Sequence, residues 1–324
     1  MSQWKRKKKD CLTAVFLIGL LLCGCGAQPL SQREIVRAVF FDSSAEGLTA
    51  VLLICDEENE EEKFKVVAAQ GDTAAEAWDN AEYALQGRAF YGLTDLVAFP
   101  AKCSWQEAQE LASLVEQTAH PAPEITVFAL GHSYGKDEIT ECAPELYEKM
   151  TSQKEKYGIQ CGLQTMFSKK DLCAIPVYED TGYAFAFLAK KDEKLECRQG
   201  AEAQMAAILT GQSNRMDCTL SEEKIHLQAD VYTAVQPESA DSVRVILTLS
   251  NCRLSELGEE KRSKEELGKE LDHALTNAFT CLESELRLWE EDPLNFRFWA
   301  QNRFGKVGKV RANLTILRED APEA

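Results

Sequence analysis

The sequence predicts an α+β (mixed α/β) chain of three small domains, each a mainly antiparallel or mixed sheet with packed helices, behind a cleaved export signal. Three observations carry that expectation. A basic-then-apolar stretch opens the chain, strand and helix patterns alternate from about residue 35 to 139, and the last hundred residues hold alternating strands around one long amphipathic helix. At 324 residues the chain has room for several cores, and 27% charged residues mark it as globular rather than disordered. A net charge of −17 argues against nucleic acid as a partner, because a phosphate-binding surface needs a basic excess. No apolar run reaches the roughly 18 residues of a membrane-spanning helix.

The first element is an address. Lys5-Arg6-Lys7-Lys8-Lys9 precede an apolar stretch from Leu12 to Cys23, too short to span a bilayer but suited to a secretory signal. Leu22-Cys23-Gly24-Cys25 then resembles a bacterial lipobox, an aliphatic residue and two small ones ahead of the cysteine that accepts lipid. The expected result is a cleaved lipoprotein signal, residues 1–24, with acyl chains (palmitate among them) on Cys25. Removing the signal takes away a net +4, so the −17 of the whole chain becomes −21. Two or three acyl chains suffice for stable anchoring. Nine cysteines remain beyond Cys25; none forms a C-x-x-C, and most sit in apolar runs, so they read mainly as small buried hydrophobes.

The first domain is expected at 25–155. Ile35 to Phe41, Leu48 to Cys55 and Phe64 to Ala69 read as strands. The acidic block Asp56 to Glu62 reads as a solvated hairpin loop, since it lacks the alternating ligands and the glycine of a calcium loop. Thr73-Ala74-Ala75-Glu76 and Ser104-Trp105-Gln106-Glu107 are capping boxes that open helices to about Gln86 and Thr118. Thr94 to Phe99 and Ile125 to Leu130 are further strands. A smaller domain, 156–215, holds a hairpin of Tyr183 to Ala189 with Lys194 to Cys197, and a helix from about Ala201 to Leu209 ending at Gly211. The last domain, 216–324, alternates Ile225, Leu227, Ala229, Val231 and then Val243, Val245, Leu247, Leu249, with Pro237 to Asp241 as the loop between. Apolar residues from Leu267 to Trp289 recur at helical steps up to Asp292-Pro293, and Val310 to Ile316 make the returning strand.

Two stretches are candidate sites. Gly131-His132-Ser133-Tyr134-Gly135 is a literal G-x-S-x-G after a strand, the pattern that presents a serine nucleophile in α/β-hydrolases. Against a catalytic Ser133, charged Lys136-Asp137-Glu138 follow it and no H-G-G-type oxyanion segment precedes it. The downstream histidines, His226 and His273, both sit on polar sides of their elements. The sequence holds no H-E-x-x-H, phosphate loop, dinucleotide fingerprint or paired Cys/His set, so no metal or cofactor is expected. Separately, Pro293 to Arg318 carries six basic residues and no acidic one, interleaved with Phe296, Phe298, Trp299 and Phe304. Arg297, Arg303, Lys306, Lys309 and Arg311 are therefore a candidate contact surface for anionic headgroups or an acidic partner.

The order of these features resembles the Ger(x)C family, the C-subunit lipoproteins (GerAC-like) of spore nutrient-germinant receptors, over nearly the whole mature chain. Cys25 followed by Arg33-Glu34-Ile35 and a strand ending at Phe40-Phe41-Asp42 resembles the family's start. Gly71-Asp72-Thr73 with Ala77-Trp78 resembles its Gly-x-Thr helix start, and Gly131 to Ile139 its following turn. Tyr183 to Leu195 with Ile208-Leu209-Thr210-Gly211, and Asp292 to Trp299 before a basic strand, resemble its middle and end. Gly26-Ala27 stands where family members commonly carry Trp-Asp. The resemblance implies a three-domain lipoprotein without catalytic activity, on the outer face of the cytoplasmic (spore inner) membrane. It would assemble there with two integral-membrane subunits to start germination. The alternatives are an exported serine hydrolase using Ser133 and a solute-binding lipoprotein.

Overall fold

The computed structural model describes residues 33–319, apart from 46, 57–62, 122–124, 167–168, 181, 192–193, 198–199, 221–223 and 258–261. The signal, the lipobox with Cys25, and the acidic loop lie outside the described residues. The α+β expectation holds: the chain builds two sheets and several helices.

In the larger sheet the spatial order is β3 (Phe64–Gly71), β2 (Gly47–Cys55), β1 (Arg33–Ser44), β5 (Leu96–Phe99), β6 (Thr126–Leu130), β7 (Leu172–Glu179), β8 (Gly182–Ala189) and β9 (Lys194–Cys197). The short β4 (Arg88–Phe90) pairs with the start of β1. Strands β1, β5, β6 and β7 run parallel in the middle, and antiparallel hairpins flank them on both sides. Every residue of β5 and β6 is buried, as parallel strands covered on both faces require. The covering helices are α1 (Ala74–Tyr83), α2 (Trp105–Ala119) and α3 (Lys136–Tyr157). Ser104 and Glu107 make the expected reciprocal capping box, whereas at Thr73 only half of it forms: Thr73 accepts from the Glu76 amide, and the Glu76 carboxylate accepts from the Asp72 amide at 2.9 Å. Trp78 of α1 packs on Phe41, ring centroids 5.5 Å apart, and donates to the Tyr91 hydroxyl, which donates in turn to Glu82.

The sheet continues across residue 155. Strands β7 to β9, which the sequence division places in the middle domain, are hydrogen-bonded into the same sheet as β1 to β6. β7 carries Pro176 inside it. The carbonyl of Tyr178 accepts from Gly131 on the β6 side, so by the two-residue period Pro176 turns its nitrogen the same way. There the ladder with β6 covers only Val177 and Tyr178, and no strand donor is lost.

A short turn of helix, α4 (Leu163–Met166), precedes β7, and helix α5 (Ala201–Leu209) follows β9. The latter is buried from Ala203 to Ile208, nearly all round. It lies between the sheets, touching β8 of the larger one and both β10 (Arg215–Leu220) and β11 (Ile225–Ser239) of the smaller. Its buried Gln204 is satisfied at both ends, donating to the Asp217 carbonyl at 2.7 Å and accepting from the Asp217 amide at 2.8 Å.

The smaller sheet runs β10, β11, β12 (Ser242–Glu256), β13 (Arg311–Arg318), antiparallel except for the parallel last pair. The alternating residues named from sequence are its buried face. One boundary differs. Pro237 to Asp241 is not a loop: β11 runs through Pro237 to Ser239, and Ala240-Asp241 alone make the turn. Pro237 is tolerated because β10 pairs with β11 only over Ile225–Asp230, leaving an open edge beyond. Helix α6 (Lys264–Leu286) begins at a Ser263/Glu266 capping box and packs on α5 and β13; a bend then leads to α7 (Phe296–Phe304) against β11 and β12. Among the described residues no helix is long and apolar enough to cross a membrane.

Candidate functional site

The G-x-S-x-G segment joins β6 to α3, and the fold closes it with a residue from another strand. Asp42, at the far end of β1, is fully buried. Its Oδ2 accepts from the Ser133 hydroxyl at 3.1 Å, the Tyr134 amide at 3.1 Å and the Gly135 amide at 2.7 Å. The N-cap of α3 is Gly135, which has no side chain to satisfy those donors, so the carboxylate from β1 does so and sets a negative charge at the helix N-terminus.

Each glycine of the motif has its own reason. Gly131 lies against β7, donating to the Tyr178 carbonyl at 2.8 Å, and a Cβ there would stand 2.7 Å from that oxygen. Gly135 has open space around it but a φ of +77°, which side chains other than hydrogen resist.

At this junction the Ser133 hydroxyl meets a carboxylate and, among the described residues, no imidazole. Neither His226 nor His273 hydrogen-bonds Ser133. His226 lies on the smaller sheet beside Asp217 and Thr219, and His273 lies on α6 beside Asn277. His132, inside the motif, stacks on Tyr134 with ring centroids 4.2 Å apart. The hydroxyl proton that a nucleophile would pass to an imidazole is directed at a carboxylate already holding two backbone amides. A second polar knot joins Arg37, Asp95 and Tyr147, clamping α3 to the starts of β1 and β5. Burial and the Asp95 charge push the Tyr147 phenol up to about 12.

The other notable place is the corner between α6 and α7, which meets the start of β7 and the end of β8. A cleft of about 1020 Å3 lies between them, bordered by Lys169 to Leu172, Lys190, Lys191 and residues of the corner. The Asp292 carboxylate accepts from the amides of Phe296 and Arg297, both at 3.0 Å, and caps α7 where Asn295 supplies no side-chain bond. Lys169 donates to the Asp292 carbonyl. Burial lowers the Lys169 amine to about 8, against the pull of the Asp292 charge. Burial likewise raises the Asp292 carboxyl above its ordinary value. Three other cations of the cleft have protein partners: Lys190 pairs with Asp171 at 3.3 Å, Lys191 pairs with Glu290, and Arg297 donates to the Glu290 carbonyl.

No protein-family model matches this chain, and no curated protein matches it. Among solved structures, that of the GerBC protein aligns over 86% of this chain and 96% of its own, at 9% identity and a TM-score of 0.40.

The expected contact residues divide. Arg297 is turned inward to the corner. Arg303 donates to the Pro237 carbonyl at 3.2 Å, with its guanidinium 5.6 Å from the Phe304 ring centroid, and the Arg311 amide donates to the Asp241 carbonyl at 2.9 Å. Both therefore sit at the tip of the β11–β12 hairpin. Lys306 and Lys309 stand exposed on the segment between α7 and β13. Phe296 is buried, whereas Phe298, Trp299 and Phe304 are exposed by 55%, 43% and 42%. Eight of the nine cysteines past Cys25 form no disulfide among the described residues, and four of these are buried. Among the described residues no His/Cys/Asp/Glu group is arranged to hold a metal ion. The partners Asp42 for Ser133 and Lys169 for Asp292 were missed from sequence. Their one signal is an acidic residue closing an apolar strand, Val39-Phe40-Phe41-Asp42, in the first case.

Proposed function

We propose that the chain is a lipid-anchored, non-enzymatic subunit of a spore nutrient-germinant receptor. Acyl chains on Cys25 hold it to the outer face of the cytoplasmic membrane (the spore inner membrane), where it assembles with two integral-membrane subunits. The observation that carries this reading is the order of motifs behind the lipobox, over nearly the whole mature chain.

The fold supports it at the one place that argued for a different class. The strand-ending Asp42 and the Gly131 to Gly135 turn, two separate parts of the motif series, meet as acceptor and donors. That contact supplies a structural reason for the G-x-S-x-G: two glycines for a close approach and a turn, and a serine that helps fasten a helix to a sheet. An α/β-hydrolase elbow presents its serine to an imidazole, and the Ser133 hydroxyl meets a carboxylate instead. The reading requires no cofactor.

Deleting the gene and exposing spores to nutrients tests it. The expected result is a loss of response to at least one nutrient, restored by the intact gene. Unchanged germination against every nutrient, in a strain whose other receptors are also removed one at a time, would contradict it.

A further inference from the structure

Among the described residues, the outward side of α7 and the segment after it are exposed, with Arg303 tied back to the Pro237 carbonyl at 3.2 Å. Phe296 and Ala300 face inward and seat the helix, while Phe298, Trp299 and Phe304 stand in solvent, with the Phe298 and Trp299 rings in edge contact at 5.9 Å. Around them lie Arg303, Lys306 and Lys309, within a stretch from Pro293 to Arg318 that has no acidic residue in a chain of net charge −17. Aromatic rings beside basic side chains form the surface that settles at a membrane interface. The rings reach the boundary of headgroups and acyl chains, and the cations meet anionic headgroups.

Where the chain leaves the described fold points to the same surface. β1, β5, β6 and β7 are parallel, so Arg33, Leu96, Thr126 and Leu172 all mark one end of the sheet. β8 is antiparallel to β7 and ends there too, at Ala189. The α6–α7 corner packs at that end, against Lys169 and Lys191. The N-terminal segment therefore enters the sheet at the end where α7 sits. It enters three strand spacings from β7, about 14 Å. Eight residue steps separate Cys25 from Arg33, a reach of at most about 29 Å. A membrane that holds Cys25 is thus within reach of this end of the molecule. Two of the nearby acids are already paired, Glu290 with Lys191 and Glu238, at the hairpin tip, with Arg244.

We propose that Phe298, Trp299 and Phe304, with Arg303, Lys306 and Lys309, form a second membrane contact. It seats this end of the protein on an anionic lipid surface and turns the tether at Cys25 into a fixed orientation. The inference rests on the reading that the N-terminus is held at a membrane.

The test uses the full chain reconstituted in phosphatidylcholine vesicles, with or without phosphatidylglycerol, with brominated lipid as the quencher of tryptophan fluorescence. Subtracting the Trp299→Phe variant isolates Trp299 from the four other tryptophans. The expected result is quenching of the Trp299 component in the anionic vesicles. It should fall at least twofold in phosphatidylcholine alone, and again in a triple variant Arg303→Glu, Lys306→Glu, Lys309→Glu whose far-UV spectrum is unchanged. Equal quenching in the wild type and Trp299→Phe would overturn the proposal, and would leave the patch free for an acidic protein surface. Quenching indifferent to phosphatidylglycerol and to the triple variant would overturn it as well. The mass of the Cys25 peptide from the same sample separates the two readings. An unmodified Cys25 with Trp299 quenched removes the lipid anchor and keeps the contact, because the apolar signal still holds the N-terminus at the vesicle. An acylated Cys25 with Trp299 unquenched does the reverse.

Discussion

Replacing Asp42 is the sharpest structural test of what the G-x-S-x-G does. Asp42→Ala leaves three donors at the start of α3 without their acceptor: the Ser133 hydroxyl and the amides of Tyr134 and Gly135. A hydrogen bond to a charged group contributes about 1.5–3 kcal/mol, and a donor orphaned in the interior costs about 1–3 kcal/mol. Ser133 is exposed, so water takes over its bond cheaply, and the loss comes mainly from the two amides. Relief from burying the carboxylate, whose Oδ1 has no hydrogen-bond partner, offsets part of it. The net expectation is a destabilisation of roughly 3–5 kcal/mol. At about 2 °C per kcal/mol for a chain of this size, the melting midpoint drops by about 6–10 °C. Ser133→Ala removes only the exposed bond and should lower the midpoint by no more than about 2 °C. Thermal unfolding followed by circular dichroism measures both. An Asp42→Ala protein melting within about 2 °C of the wild type, or a Ser133→Ala protein as unstable as Asp42→Ala, would refute the reasoning.

Two further outcomes follow from the same structure. Lys169 titrates near 8 in the folded chain instead of near 10.5, so between those values the unfolded chain still binds the proton that the folded one has released. Stability attributable to this residue therefore rises with pH across that window, by about 3 kcal/mol in all. In urea titrations from pH 7 to 11, the wild type should gain on Lys169→Met by that order, and a pH-independent difference would remove the buried amine from the account. A fluorophosphonate probe should leave Ser133 unlabelled, since no imidazole reaches its hydroxyl; labelling that disappears in Ser133→Ala would restore the hydrolase reading.

Local rules made much of the fold legible. Thr73, Ser104 and their glutamates announced α1 and α2, and period-two alternation from Ile225 and from Val243 announced the buried face of the smaller sheet. β7 was not legible, because a strand buried on both faces shows no alternation and Pro176 reads as a breaker until its neighbour on the β6 side is known. Pro144 inside α3 hid the length of that helix in the same way. The candidate sites were half legible. The motif at Ser133 is visible in the chain, but its partner Asp42 lies 91 residues away, and Lys169 lies 123 residues from Asp292. No spacing rule joins such pairs, because the sheet order brings them together. In the basic stretch the pattern of Phe, Trp and Arg fits core and surface equally. Only the seating of α7 on Phe296 and Ala300 separates the inward ring from the outward three.

The central claim is that this protein works through its lipid anchor and not through Ser133. One comparison tests that directly: nutrient-triggered germination of spores lacking the gene and complemented with either Ser133→Ala or Cys25→Ala. Ser133→Ala should restore germination to the wild-type rate, and Cys25→Ala should leave it as slow as the deletion. The opposite pattern, with Cys25→Ala restoring germination and Ser133→Ala failing while still folded, would contradict the account.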